Sequence, residues 1–241
     1  MKSIKRIFVF VFGLKNYFRI VSRSFFILYR LGVLRSRKSF ECHYYIKRLV
    51  KEGDSVIDIG ANFGYYTILF SDLVKETGHV YAVEPVELYR EILLRNAGSR
   101  KNITIFPYAL GDENKENISM GIPGSDISRH GLTRIITENS DSAKTFTVSM
   151  RKPQELFASI NKINYIKCDV EGYEMHIIPL ILPLIETHHP IIQIETGGEN
   201  KKQLMSMLEK TGYKIFYVCG EELVPLNAAE EGHEGDLFFM P

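Results

Sequence analysis

Ser55-Val56-Ile57-Asp58-Ile59-Gly60-Ala61-Asn62-Phe63-Gly64 decides the fold. A β-branched run broken only by Asp58 ends in two glycines, and apolar positions at helical spacing resume at Tyr65, Tyr66, Ile68, Leu69 and Phe70. The order is strand 55–59, tight turn, helix 65–75, the opening unit of a nucleotide-binding α/β domain. Gly60 and Gly64 lack a Cβ, so the turn can take unusual backbone angles and a ligand can come close to the main chain. The next strand, His79 to Val83, ends in Glu84-Pro85. At this distance from a glycine turn, an acid on that strand tip is placed to accept hydrogen bonds from both ribose hydroxyls of an adenosine. The plain alternative for Glu84 is a solvated strand end.

Beyond this unit the pattern repeats. Helix 86–97 carries Val86, Leu88, Ile92 and Leu93 on one side and Arg90, Glu91 and Arg95 on the other, and strand 103–107 follows. Residues 111–145 are rich in Gly, Pro, Ser, Asp and Asn and read as a loop-rich insertion, with a β ribbon formed by Asn117–Met120 and Phe146–Ser149. Such a loop at the carboxyl edge of a sheet is expected to form a partial lid over an acceptor, or else a plain edge hairpin. A short helix at 152–160, strands at 165–169 and 190–195, a helix at 200–211 and strands at 213–218 and 236–240 complete the chain. The expected fold is a doubly wound, mostly parallel, seven-stranded α/β sheet of the Rossmann-like kind.

In the other direction, Glu41 to Val50 reads as a helix leading through Lys51-Glu52-Gly53-Asp54 into the first strand. Residues 1–40 form a separate basic, apolar, helical segment, and residues 41–241 a single domain, which is what 241 residues can hold. The formal charge of +1 hides an asymmetry: the segment has ten basic side chains and no acid, so the domain, with 20 basic and 29 acidic residues, carries −9. A basic, greasy segment on an acidic domain suggests an anionic partner, such as a membrane surface. The longest apolar run there, Ile7–Leu14, is far short of the roughly 20 residues that span a bilayer. A secretory signal is the alternative, but Lys15 and Arg19 cut the apolar core short and no small-x-small site follows. Two readings stay open: helices packed on the domain, or helices lying in a membrane interface. Nucleic acid is not the expected partner, because the apolar content is too high. Cys42, Cys168 and Cys219 are scattered, with no CxxC, which argues against a disulfide framework and structural zinc and fits a reducing, cytoplasmic setting.

Three acids end separate parallel strands: Asp58, Asp169 and Glu195. Asp58 and Asp169 belong to the strands that flank the topological switch point, where open α/β sheets bind ligands. Four stretches then carry a resemblance: Val-Ile-Asp-Ile-Gly-Ala-Asn-Phe-Gly-Tyr-Tyr-Thr at 56–67, Val-Tyr-Ala-Val-Glu-Pro at 80–85, Ala-Leu-Gly-Asp at 109–112 and Ile-Lys-Cys-Asp-Val-Glu-Gly-Tyr-Glu at 166–174. Together they closely resemble the FkbM family of S-adenosylmethionine-dependent methyltransferases, from about Gly53 to Tyr213, with Asp-Val-Glu-Gly the distinctive part. One departure stands out: where that family reads Thr-Leu-Asp-Asp before its short helix, this chain has Ser149-Met150-Arg151-Lys152-Pro153-Gln154.

The resemblance implies methyl transfer from S-adenosylmethionine, most often to a hydroxyl oxygen of a sugar, glycan or secondary metabolite. It places the methionine end of the cofactor in the turn Gly60–Gly64, Asn62 included, with Asp58 beneath it. It puts the ribose at Glu84, the adenine beside Tyr108, Ala109 and Leu110, and the sulfonium and acceptor near Asp169. Methyl transfer is an in-line displacement, so the site must chiefly align donor and nucleophile. A hydroxyl acceptor must also lose its proton. Asp169 is the first candidate for base or orienting group, followed by Lys167, Glu171, Glu195 and His176. Lys167 and Asp169 share a strand face, so they act together or simply pair. Glu171 is alternatively a cap for the following helix, and His176 a packed or solvated side chain. No metal site is assigned, although Asp169 with Glu195 offers oxygens for a divalent ion. An NAD-dependent oxidoreductase is the rival enzyme, but it wants Gly-x-Gly-x-x-Gly for a pyrophosphate, and Asn62 occupies the middle position. The non-enzymatic rival is a methyltransferase-like scaffold recruited to membranes.

Overall fold

The computed structural model describes residues 2–123, 134–135, 142–197, 201–226, 233 and 235–241. In chain order it contains α1 (Lys2–Arg30), α2 (Glu41–Leu49), β1 (Ser55–Ile59), α3 (Tyr65–Val74), β2 (His79–Val83), α4 (Glu87–Ala97), β3 (Ile103–Phe106) and β4 (Tyr108–Leu110). There follow β5 (Lys115–Pro123), β6 (Arg134–Ile135), β7 (Ser142–Arg151), α5 (Pro153–Phe157), β8 (Tyr165–Cys168), α6 (Glu174–His188) and β9 (Ile191–Thr196). Last come α7 (Lys201–Glu209), β10 (Lys214–Cys219), β11 (Glu222–Pro225) and β12 (Gly235–Met240). The start of the expected helix 200–211 falls on a residue outside the described ones.

The main sheet runs β11-β10-β12-β9-β8-β1-β2-β3. From β3 to β9 it is parallel, and β12 is antiparallel to both neighbours, β9 and β10. The seven expected strands are all present, and β11 adds an eighth by pairing back on β10. Its sequence, Glu-Leu-Val-Pro, is too short and polar to announce a strand; the turn at Gly220 makes it one. Strand alternation sorts the core onto two faces. Ile57, Ile59, Ile166, Ile192 and Phe239 pack on the side of α5, α6 and α7, while Val56, Val80, Tyr165 and Phe238 pack toward α1, α2 and α3.

The insertion is more ordered than its composition suggests. β5 and β7 pair antiparallel, with Ile118 opposite Val148 and Met120 opposite Phe146, so the expected ribbon exists and extends further in both directions. A second sheet, β4-β7-β5-β6, is built on it. Pro107, which has no N–H to donate, ends β3, and Tyr108–Leu110 leaves the main sheet to pair in parallel with Ser149–Arg151. The expected lid over the acceptor falls mainly on residues 124–133 and 136–141, outside the described residues.

Residues 14–34 do pack on the domain. Phe18, Ser22, Phe25 and Tyr29 recur at helical spacing and are buried. Phe18 meets the rings of Phe63 and Tyr89, Phe25 sits 4.4 Å from the Tyr65 ring, and Asn96 of α4 donates to the Ser22 hydroxyl. Lys15 pairs with Glu91. Gly13, with φ 72° and ψ 157°, interrupts the helix. No described helix is long and apolar enough to cross a membrane. A Phe18→Ala variant should lose about 3–5 kcal/mol of unfolding free energy, measured by urea denaturation. Phe10→Ala, at a site 90% exposed, should change it by less than about 0.5 kcal/mol.

Candidate active site

Strand order reverses between β8 and β1, and the crevice at their carboxyl ends is a cleft of about 1200 Å³ including its open mouth. Gly60 makes the closure possible. Its φ is +82°, and a Cβ built there would lie 1.8 Å from the Asp169 carbonyl oxygen. With only hydrogen in that space, the Asp169 N–H donates to the Ile59 carbonyl at 3.0 Å and the tips of β1 and β8 stay together. Gly64 has a different job. It caps α3 in the left-handed region, and a Cβ there would lie 2.2 Å from Leu93 Cδ1. It does not line the cleft, which corrects the expectation that it touches a cofactor.

Glu84 is buried at the tip of β2 and ties the turn together. One carboxylate oxygen accepts from the Asn62 N–H and the other from the Val86 N–H, both at 2.8 Å. A carboxylate has about four lone-pair positions, so each oxygen keeps one for a hydroxyl. Burial pushes the Glu84 carboxyl up to about 7, against the pull of those two N–H groups and of Arg90. Beside it Val86, Tyr89, Tyr108, Ala109 and Leu110 form an apolar slot. Asn62, in the left-handed region at φ 50°, lines the cleft with a buried Oδ1 that has no hydrogen-bond partner. Beneath the turn Asp58 is buried and accepts from the Thr67 hydroxyl at 2.5 Å. Burial raises its carboxyl, while Lys167 and Thr67 oppose the rise.

The other end of the cleft is acidic. Lys167 stands beside Asp58 in the β1–β8 register, is 2% exposed, and donates to Asp169 Oδ2 at 2.7 Å. Burial works against its charge, but Asp169, Asp236 and Asp58 outweigh burial and hold it protonated, above its ordinary value. Asp169 responds in kind: burial would raise it, yet Lys167 and a hydrogen bond from Glu195 hold it below the usual carboxylate range. Glu195 shifts up, chiefly because Asp169 repels a second charge. Oxygens of Asp169, Glu171 and Glu195 all lie within 4.8 Å of one another. Glu195 does not line the cleft itself; it is exposed on β9, within reach of Asp169. Glu171, at φ 56°, does line it, and burial and Asp169 push its carboxyl up to about 8. The capping alternative for Glu171 is not seen: α6 has no side-chain cap, and Glu174 accepts from the Val170 and Gly172 N–H groups of the preceding turn at 3.1 Å each. His176 stacks on Tyr173 outside the cleft lining.

Two residues, His43 and Asp236, reach this site without any signal in the strand motifs, and Tyr66, inside the first motif, joins them. His43 of α2 lines the cleft, stacks 4.1 Å from Tyr66, and has a buried Nδ1 with no hydrogen-bond partner. Burial and the nearby Lys167 push its imidazole down to about 3, so it is neutral. The Tyr66 ring lies under the Lys167 ammonium at 4.6 Å, and its hydroxyl donates to Asp236 at 3.5 Å. Asp236 arrives from β12, opposite Glu195.

This site can be compared with known proteins. The methyltransferase FkbM domain model matches residues 58–215. The chain belongs to the FkbM methyltransferase family. It therefore carries an S-adenosylmethionine-dependent methyltransferase domain. A protein-L-isoaspartate O-methyltransferase of Methanosarcina mazei is 40% identical over 75 residues, covering 30% of this chain and 28% of that protein. The hexuronic acid methyltransferase AglP of Haloferax volcanii is 26% identical over 154 residues, covering 63% of this chain and 60% of that protein. The chain thus spans less than two thirds of either relative. A solved FkbM methyltransferase from Methylobacillus flagellatus shares the fold at 14% identity, with a TM-score of 0.50, covering 82% of this chain and 50% of that one.

The residues fit the cofactor. The orphaned Asn62 oxygen, the spare lone pairs of Glu84 and the apolar slot would take, in turn, an ammonium, ribose hydroxyls and adenine. Glu84→Gln should raise the Kd for S-adenosylhomocysteine by about 10- to 100-fold by calorimetry, since a charged acceptor is lost. In the parent chain, affinity should fall as pH drops through about 7, where Glu84 takes up a proton and loses acceptor capacity.

Proposed function

We propose that the chain O-methylates a hydroxyl of a sugar or glycan, with Asp169 accepting the hydroxyl proton. The observation that carries this reading is the Lys167–Asp169 pair at the acidic end of the cleft. S-adenosylmethionine, when bound, supplies a methyl on a cationic sulfur, whose C–S bond breaks as the C–O bond forms and leaves a neutral thioether. Everything else falls to the protein. Lys167 keeps Asp169 ionised, so that it can orient the acceptor O–H and take its proton as oxygen gains the methyl. Asp58, Asp169 and Asp236 make this end of the cleft favourable for a cation. Glu171 and Glu195 stand beside Asp169 with their carboxyls shifted up, which leaves Asp169 as the ionised acid of the three. The name of the Haloferax relative, a hexuronic acid methyltransferase, adds support for a sugar acceptor. His43 offers a neutral imidazole on the same wall and is a candidate to hydrogen-bond the acceptor.

Incubation with labelled S-adenosylmethionine and fractionated glycans and lipids tests the assignment directly; label confined to protein carboxylates would overturn it. On the acceptor so found, Asp169→Asn should lower kcat by about 10²- to 10⁴-fold while changing S-adenosylhomocysteine affinity only a few-fold. Lys167→Met should move the acidic limb of the kcat profile to higher pH. Without the ammonium, burial raises the Asp169 carboxyl, so more base is lost as pH falls.

A further inference from the structure

Among the described residues nine large apolar side chains are exposed, and eight of them lie between Phe10 and Val33. Buried Phe18, Ser22, Phe25 and Tyr29 hold one face of α1 against α3 and α4. The opposite side of α1 and the turn that follows it carry Ile20, Ile27, Leu28 and Leu31, exposed by 42%, 58%, 37% and 71%. Exposed Arg23 and Arg30 are interleaved with them, and Arg37 and Lys38 follow. The helix is therefore apolar on both sides, and only one side is used by the fold. Packing on the domain, one of the two readings open from the sequence, accounts for the inner face alone.

We propose that the outer face of α1 seats on an anionic lipid bilayer, lying in the interface plane rather than crossing it. Charge selects this occupant. Residues 1–40 contain ten basic side chains and no acid, whereas the rest of the chain carries −9. An anionic surface attracts the α1 side and repels the remainder, so charge also sets the orientation. Apolar side chains among arginines on one helical face match the composition of interfacial helices, where acyl burial and headgroup attraction add. A second copy is disfavoured across the same face, since two faces of like charge would meet. The break at Gly13 lets Phe10, Val11 and Phe12 depart from the axis of the packed turns and reach the same surface.

The test uses the full chain, floated with vesicles of phosphatidylcholine alone or mixed equally with phosphatidylglycerol. The expected result is binding to the mixed vesicles, weakened by added salt, and little binding to phosphatidylcholine. An I27E/L31E double variant should lower the vesicle-bound partition by about tenfold or more, while its melting shift with S-adenosylhomocysteine is unchanged. A R23E/R30E variant, which alters no buried side chain, should lose the preference for phosphatidylglycerol. The proposal is overturned if the full chain stays unbound with the mixed vesicles, or if both variants bind like the parent. It is equally overturned if ultracentrifugation finds a dimer that I27E/L31E dissociates. None of these outcomes touches the methyl-transfer reading, which is read by label transfer.

Discussion

A missing methyl group holds this molecule together at its centre. The Cα of Gly60 faces the Asp169 carbonyl so closely that a Cβ would sit 1.8 Å from the oxygen. Any other residue would force the ends of β1 and β8 apart. Because they meet, the turn that begins at Gly60 and the acids that begin at Asp169 become opposite walls of one cleft. Glu84 then fastens the near wall through the N–H groups of Asn62 and Val86. Both walls of the cleft therefore depend on a single backbone approach.

Electrostatics gives the two walls different characters. Lys167 is buried among Asp58, Asp169 and Asp236, and the charge balance of that region rests heavily on it. A buried ion pair gains little net stability in general, because desolvation consumes most of the attraction. Here its consequence is chemical. It holds Asp169 below the usual carboxylate range while the neighbouring Glu195 carboxyl is pushed up. Around them runs a chain of hydrogen bonds, linking Tyr165, Gln193, Tyr66 and Asp236, that spans β8, β9, α3 and β12. Such a network locks side chains that the strands alone would leave free to turn.

Much of this was legible in the residues. The glycine turn, the acid ending β2 and the Asp-Val-Glu-Gly run lie within short stretches whose spacing carries meaning. Those stretches contain Asp58, Gly60, Asn62, Glu84, Lys167, Asp169 and Glu171, all of which line the cleft. What escaped was contributed by elements distant in the chain. His43 sits on α2 and Asp236 on β12, and only packing brings them to Lys167. Gly64 was misplaced because a positive φ marks close approach without saying to what; its neighbour is Leu93. Composition hid the second sheet as well, since polar ribbon strands resemble loops until a partner is known. The segment 1–40 posed two alternatives because a helix apolar on both sides satisfies each of them, one per face.

The departure of Tyr108–Leu110 from β3 has a further consequence for how this family member can vary. The aromatic side of the base slot belongs to the smaller sheet, held there by pairing with Ser149–Arg151. Insertions or deletions between Pro123 and Ser142 lie past that rung of the ladder. A change of length there leaves in place the rung that holds Tyr108–Leu110 against Ser149–Arg151, so one wall of the cleft is anchored independently of the hairpin's far end.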